Sequence, residues 1–335
     1  MPAQPFGETQ KERRAGRGEF LDPKKHYVRV KGWLPAFRTY SEATGGRVQY
    51  LTFCAKEAID VRYFAQKGAL ARNDAANDYP SLTFVESDEE DYAIIAETLG
   101  RVRLAVHADF EKVLLDRGHP RHQDLVASFP YHVINLDFCG HIVPRKKHPY
   151  NETIRCIERI VELQAGAHAP RWHLFLTFRA QLAHANEEAN GQLRDIIDGN
   201  LGHDEFKQAY GDRPAPAQLL GEAYPEFLRV SIAKHLANAA RNRGYALTLE
   251  SSWVYSRQAG TYHIVKLVAA LKPLAAATDL PNPQREQKAY DAAVKAIFSS
   301  QATDVDAAIA DASQEIEEEL KPVLEELERI GIVTA

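Results

Sequence analysis

The sequence predicts an α/β protein with a doubly wound, mostly parallel sheet and a C-terminal antiparallel hairpin. Over the first two-thirds of the chain, short apolar runs of strand-forming residues alternate with amphipathic segments of helical period. Such alternation is typical of βαβ units, whose right-handed crossovers place helices on both faces of a Rossmann-like sheet. Two later apolar runs are joined by Gln258-Ala259-Gly260, a short glycine-containing connection that predicts a hairpin.

The predicted elements follow one another along the chain with short connections. Residues 48–55 form the first predicted strand, and Ile59, Tyr63 and Phe64 give residues 57–70 a helical period. The other predicted strands are 81–88, 101–109, 131–140 and 171–180, the other helices 89–100, 110–118, 151–166 and 224–244, and the hairpin strands 245–257 and 261–273.

The predicted organisation is one large domain with an extension at each end. Residues 1–25 are polar and rich in Gly, Arg and Lys, which predicts a flexible basic arm. The α/β domain spans 26–280 and includes a polar helical insertion or cap at 186–223. Residues 281–335 form an acidic helical extension, which is either a solvated helix packed on the core by one apolar stripe or a docking surface for a basic protein partner.

Composition and charge limit the classes of function. Hydrophobic residues make up 45% of the 335 residues and charged residues 26%, which is ordinary for a globular protein with a sizeable core. The net charge of -5 provides no global basic field for nucleic acid, so any such contact requires a local patch. Two local groups could contact phosphates or could simply be solvated: Arg13, Arg14, Arg17, Lys24 and Lys25 in the arm, and Arg145, Lys146 and Lys147 after the fourth strand.

Several other classes of site and location are disfavoured. The three cysteines match no zinc or redox spacing, and the histidines show no metal-ligand pattern, so no metal is expected. No secretory signal and no apolar run of 18 residues is present, which predicts a cytoplasmic protein without a membrane partner. The glycine-rich motifs of P-loop nucleotidases, α/β-hydrolases and nicotinamide dehydrogenases are also missing.

Acidic residues stand at the carboxyl ends of the second and third predicted strands, where a doubly wound sheet binds its ligand. Glu86, with Asp88 as second choice, is placed to accept hydrogen bonds from both hydroxyls of a ribose. Asp109 ends the third strand. Each aspartate precedes a helix, so helix capping is the alternative role for Asp88 and Asp109.

These segments resemble the class I S-adenosylmethionine-dependent methyltransferases, nearest the tRNA guanine-N2 dimethyltransferases. The similarity lies in residues 52–68, 84–88, 107–110 and 134–141. Unlike that family, residues 54–60 contain no glycine that would let the backbone approach a ligand closely. The resemblance implies S-adenosylmethionine as cofactor, contacted by Cys54, Ala55, Glu86, Asp88, Asp109 and Phe110.

The fourth predicted strand ends in a partial match to the family's amine-binding motif. The resemblance implies that Asp137 or Asn135 orients the acceptor amine while Phe138 stacks on a flipped-out base. The alternative is an ordinary core strand followed by a loop.

Two functions follow as hypotheses. The first is an S-adenosylmethionine-dependent methyltransferase that acts on a base amine of nucleic acid. The second is a catalytically silent methyltransferase-like scaffold in a bacterial antiviral defence or nucleic-acid-processing complex.

Overall fold

An eight-stranded sheet forms the centre of the protein, described here by a computed structural model over residues 22–143, 152–257, 262–274 and 282–332. The strands are β1 (Tyr50–Phe53), β2 (Tyr79–Glu86), β3 (Val102–His107), β4 (Val133–His141), β5 (Trp172–Ala180), β6 (Tyr245–Arg257), β7 (Tyr262–Pro273) and β8 (Thr303–Asp304).

Helices occupy both faces of this sheet. The helices that precede β5 are α1 (Pro23–Val28), α2 (Leu34–Thr44), α3 (Ile59–Gln66), α4 (Glu89–Thr98), α5 (Phe110–Leu115), α6 (His122–Ala127) and α7 (Glu152–Gly166), with a π-helical segment, Arg29–Trp33, between α1 and α2. The helices that follow β5 are α8 (Glu187–Leu201), α9 (Asp204–Tyr210), α10 (Pro216–Glu222), α11 (Tyr224–Arg241), α12 (Asn282–Ser299), α13 (Val305–Ala308) and α14 (Ser313–Arg329), with a 3-10 turn at Leu182–His184.

The strand order is β3-β2-β1-β4-β5-β7-β6-β8. Strands β1 to β5 run parallel, whereas β7 pairs antiparallel with both β5 and β6. This order, with β7 reversed, is that of the class I methyltransferase fold, so the predicted fold class is confirmed. The order reverses between β1 and β4, which places the switch point at the carboxyl ends of these two strands.

The core consists of two apolar clusters separated by the sheet. Successive side chains of a strand point to opposite faces, so Tyr50 and Leu51 belong to different clusters, as do Phe175 and Leu174. The cluster that contains Tyr50 and Phe175 lies under α1, α2, α3 and α14, whereas the other lies under α5, α7, α11 and α12.

The N-terminal helices are part of the core. Helix α1 begins at Pro23, capped by the carboxylate of Asp22, so the last residues of the predicted flexible arm are helical. Trp33 stacks on Phe175 with ring centroids 5.3 Å apart, and Phe37 stacks on Phe64 at 4.2 Å. Both contacts hold the N-terminal segment against β5 and α3, beside the switch point.

The acidic helix α14 packs against the chain itself. It buries the apolar stripe that the sequence indicates: Ile316, Leu320, Val323 and Leu327. Its Glu326 is also buried and accepts a hydrogen bond from Arg62 of α3 at 2.8 Å. In the described part of the chain, no helix is long and apolar enough to span a membrane.

Candidate functional site

The loop between β1 and α3 forms one wall of the candidate site. Ala58 has φ of +44°, a left-handed conformation that favours glycine. Its amide donates to the carbonyl oxygen of Ala55 at 2.8 Å, which closes the loop into a tight turn. The loop therefore keeps a backbone shape suited to glycine although it contains none.

A small cleft lies between this loop, the end of β4 and the N-terminal π-helical segment. It has room for about one water molecule. A ligand larger than water therefore requires one of the three walls of the cleft to move. The lining residues are Arg29, Trp33, Phe53, Ala55, Ala58, Ile59, Asp60, Asn135 and Asp137.

A buried polar network supports the floor of the cleft. The Oδ2 atom of Asp60 accepts hydrogen bonds from the Tyr50 hydroxyl at 2.5 Å, the Thr52 hydroxyl at 3.1 Å and the Asn135 amide at 3.3 Å. All four side chains are less than a tenth exposed. The sequence predicts Asn135 as a site residue but gives no signal for Asp60, because an acid in the first turn of a helix is commonplace.

Asp137 forms a buried ion pair with the N-terminal helix. Its carboxylate lies 2.5 Å from Lys25 Nζ. Burial alone would raise the pKa of this carboxyl, but the charges of Lys25, Lys266 and Arg29 hold the pKa well below its usual range. Asp137 is therefore an ionised group neutralised from within the chain.

Lys266 of β7 completes this charged cluster. Its ammonium is fully buried, donates to the Thr177 hydroxyl at 3.1 Å and lies 4.5 Å from the centre of a Trp33 ring. Burial lowers the pKa of Lys266 to about 7, against the opposing effect of Asp137. The sequence does not indicate Lys266 as a site residue, since a single lysine in a strand matches no motif.

Glu86 stands at the carboxyl end of β2, as predicted. Its Oε1 accepts the Asp88 amide at 2.7 Å, and burial raises the pKa of Glu86. Asp88 instead caps α4, accepting the amides of Glu90 and Asp91 at 3.0 and 3.1 Å. Asp88 therefore has the alternative role of a helix cap, and its contact with the cofactor stays a prediction.

Asp109 and Phe110 stand at the end of β3. The Asp109 carboxylate accepts the Lys112 amide at 3.1 Å and caps α5, which is again the alternative role. Phe110 packs edge-to-face on Phe53 at 4.7 Å, and Phe53 packs on Phe138 at 5.4 Å. Three aromatic rings thus connect the ends of β1 and β4 with the start of α5.

Cys54 and Ala55 begin the β1–α3 loop. Cys54 is buried, and burial raises the pKa of its thiol well above the ordinary value, so the thiol is neutral. Ala55 lines the cleft. Both sit where the resemblance places the cofactor loop.

Of the lysines and arginines predicted to contact phosphates, only Lys24 and Lys25 lie within the described residues. Lys24 and Lys25 form ion pairs within the chain, with Asp306 and Asp137 respectively. The other predicted phosphate contacts lie outside the described residues: Arg13, Arg14, Arg17, Arg145, Lys146 and Lys147.

Among the described residues, no cluster of His, Cys, Asp or Glu could hold a metal ion.

The strand order and the switch-point cleft define a doubly wound α/β protein of the class I methyltransferase fold. A family model described as PP_RS20740-like matches residues 21–329, and the chain belongs to that family. No curated protein matches the chain.

Three solved structures are similar to the chain at low identity. The plantazolicin methyltransferase BpumL, in complex with SAH, is 12% identical, with a TM-score of 0.40, 80% of this chain covered and 92% of the other. The plantazolicin methyltransferase BamL, in complex with a triazolic desmethylPZN analog and SAH, is 8% identical, with a TM-score of 0.41 and the same coverage. EvdMO1 is 15% identical, with a TM-score of 0.31, 81% of this chain covered and 50% of the other.

Proposed function

We propose that this protein is an S-adenosylmethionine-dependent methyltransferase that acts on a base amine of nucleic acid. The observation that carries the proposal is the position of Glu86 at the carboxyl end of β2, beside the switch point of a sheet with the methyltransferase strand order. A carboxylate there can accept both hydroxyls of a ribose. One Glu86 oxygen already accepts the Asp88 amide, which fixes the side chain and leaves the second oxygen for a ligand.

Other residues of the same edge suit the cofactor. Phe53 pairs with Val85, the residue before Glu86, and packs edge-to-face on Phe110, so the two rings offer an apolar surface on which an adenine can pack. Ala55 and Ala58 are small residues of the β1–α3 loop and line the cleft where the backbone would approach the ligand. When bound, S-adenosylmethionine supplies an activated methyl group, and the protein's task is to position the donor and the acceptor.

The proposed acceptor site lies at the end of β4. Asp137 would accept a hydrogen bond from the acceptor amine, and Phe138 would stack on the base. Asp137 is paired with Lys25 in the closed cleft, so outward movement of α1 would both open the cleft and release this carboxylate. The arginines and lysines of residues 13–17 and 145–147 are the proposed phosphate contacts.

A second candidate function is a catalytically silent scaffold of the same fold. The observation that favours it is the closed cleft, in which Arg29 and Trp33 cover the switch point and Lys25 neutralises Asp137. In that case, the protein would bind the other members of a larger complex through its surface, and the cleft would bind no cofactor.

Calorimetric titration with S-adenosylhomocysteine distinguishes the two functions. Micromolar binding to the wild type, lost in Glu86→Ala and kept in Glu97→Ala, supports the methyltransferase, because Glu97 is an exposed acid of the neighbouring helix α4. The absence of binding at millimolar ligand favours the scaffold. Transfer of a labelled methyl group to RNA or DNA oligonucleotides then tests the acceptor, and labelling of protein alone would refute nucleic acid.

A further inference from the structure

Strand β4 is irregular just beyond the proposed acceptor site. In its pairing with β5, Asp137 lies opposite Thr177 and His141 lies opposite Arg179. Four steps along β4 therefore match only two steps along β5, so β4 contains a bulge between Asp137 and His141. A bulge bends its strand and turns the side chains that follow it in a new direction. Here the bulge precedes His141, the last residue of β4.

The chain returns to this strand end after β5. A 3-10 turn, Leu182–His184, follows β5, and the amide of Asn186 then donates to the carbonyl oxygen of Val143 at 3.0 Å. This bond holds the turn against the residues that follow β4. The imidazoles of His141 and His184 stack there, with ring centroids 5.3 Å apart and an interplanar angle of 3°.

The ring nitrogens of this stacked pair are available to a ligand. In the part of the chain that the structure describes, no hydrogen bond or ion pair involves His141 or His184. His184 is exposed and His141 is half-buried, so both rings are accessible from the surface. A neutral imidazole can donate one N–H, and a protonated imidazole can donate two.

Arg179 adds a permanent positive charge beside the pair. Its guanidinium lies 4.4 Å from the centre of the Tyr262 ring, and this aromatic face supports its position. Burial and the charges of Arg179 and His184 lower the pKa of His141 to about 4. Protonation of His141 is therefore unfavourable until an anion offsets the positive charge of its neighbours.

We infer that His141, His184 and Arg179 form a subsite for a phosphodiester of nucleic acid. A guanidinium can bind two phosphate oxygens at once, and imidazole N–H groups can donate to the same phosphate. His141 is four residues from Asp137, at most about 14 Å along an extended chain, so the subsite suits a phosphate close to the base at Asp137. The inference rests on the proposed function, because nucleic acid would supply the phosphodiester. None of the three residues lines the water-sized cleft, so the subsite does not depend on its opening.

Oligonucleotides with and without backbone charge test the subsite. Fluorescence anisotropy compares single-stranded DNA and RNA with versions of the same sequence in which neutral methylphosphonate linkages replace the phosphodiesters. In Arg179→Gln and in the double variant His141→Gln/His184→Gln, the affinity for the charged strands should fall about tenfold or more, as for lost charge-assisted hydrogen bonds. The affinity for the neutral strands should be unchanged. Arg179→Gln should also reduce the slope of log affinity against log salt by about 0.7.

His203→Gln is the matched control, because it removes an exposed histidine at the start of α9 and should bind all strands as the wild type does. Thermal unfolding of each variant establishes that it is folded at the temperature of the binding measurement. Titration with S-adenosylhomocysteine should give the same affinity for the wild type and for each variant, since the subsite contacts the acceptor alone.

The outcomes separate the subsite from the proposed function. If the variants bind the charged strands as the wild type does, or lose affinity for charged and neutral strands alike, the subsite is wrong while the proposed function stands. If the wild type binds none of the strands, nucleic acid is not the acceptor, and the subsite fails with that part of the proposed function.

Discussion

Lys25 Nζ lies 2.5 Å from the carboxylate of Asp137, and the two side chains are only 8% and 13% exposed. This ion pair joins the N-terminal helix α1 to the end of β4. Asp137 also lines the cleft, so the pair makes this carboxylate part of the packing between helix and sheet. Asp137 therefore has a structural role in addition to its proposed catalytic one.

Removal of either partner should destabilise the protein. Lys25→Ala leaves the buried Asp137 carboxylate without its nearest cation and should lower the free energy of unfolding by about 3 kcal/mol. Asp137→Ala leaves Lys25 and Lys266 facing each other and should cost a similar amount. Urea denaturation followed by fluorescence measures both. The double variant should be less destabilised than the sum of the single variants, by about 1 kcal/mol or more.

Lys31→Ala is the control for this pair. Lys31 lies 2.6 Å from Glu315, but the side chains are 37% and 53% exposed, so its loss should cost under about 1 kcal/mol. If Lys25→Ala is no more destabilising than Lys31→Ala, the Lys25–Asp137 pair does not hold α1 to the sheet.

The backbone at Ala58 gives a second prediction. A φ of +44° is tolerated by alanine with some strain, but for a β-branched residue it is a severe outlier. Ala58→Val should therefore cost about 2 kcal/mol or more of unfolding free energy, whereas Ala58→Gly should stay within about 1 kcal/mol of the wild type. Thermal and urea unfolding of the two variants check this. Equal stability of both variants would mean that the loop adopts another conformation in solution.

Much of the fold could be predicted because its signals are local. The alternation of apolar runs and helical periods located β4 at 131–140, against the observed Val133–His141, and α7 at 151–166, against Glu152–Gly166. The N-terminal helices were missed because Gly32 and Pro35 interrupt the pattern there. In the structure, Pro35 sits in the first turn of α2, where a proline is compatible with a helix.

The site was less predictable because it depends on contacts between distant segments. An acid before a helix can serve as a cap or as a ligand, and the sequence cannot separate these roles for Asp88 and Asp109. Asp60 becomes a candidate only when the register of β1 and β4 brings Tyr50 and Asn135 to it. The position of Arg29 depends on how α1 crosses the sheet, for which no sequence motif exists.

The acidic helix α14 gives a third prediction. Glu326 accepts hydrogen bonds from Arg62, Gln66 and Arg72, and the Arg62 guanidinium is fully buried. Glu326→Ala leaves that cation without its carboxylate and should lower the unfolding free energy by about 3 kcal/mol. Glu325→Ala, which removes an exposed acid of the same helix, should stay within about 0.5 kcal/mol. Urea denaturation of both variants makes the comparison. Equal losses would indicate that α14 is not held by the Glu326 pair.

His26 gives the protein a specific dependence on pH. The imidazole is fully buried in α1 and packs edge-to-face on Tyr63, with ring centroids 4.7 Å apart. Burial, together with the charges of Arg29 and Lys67, lowers the pKa of His26 to about 3 from an ordinary value of 6.5. Between these two values the unfolded chain binds a proton that the folded chain does not bind. The buried, unprotonated His26 therefore makes its full contribution to stability above pH 6.5, and this contribution is lost as the pH falls towards 3.

Replacement of His26 by phenylalanine should weaken this dependence. The ring keeps its packing on Tyr63 but has no site for the proton. From pH 7 to pH 5 the wild type should therefore lose about 2 kcal/mol more unfolding free energy than His26→Phe, since one such group contributes about 1.4 kcal/mol per pH unit. Urea denaturation at pH 7, 6 and 5 measures the difference. His203→Gln removes an exposed histidine and should follow the wild type. Parallel curves for wild type and His26→Phe would mean that the pKa of His26 is not lowered in the folded protein.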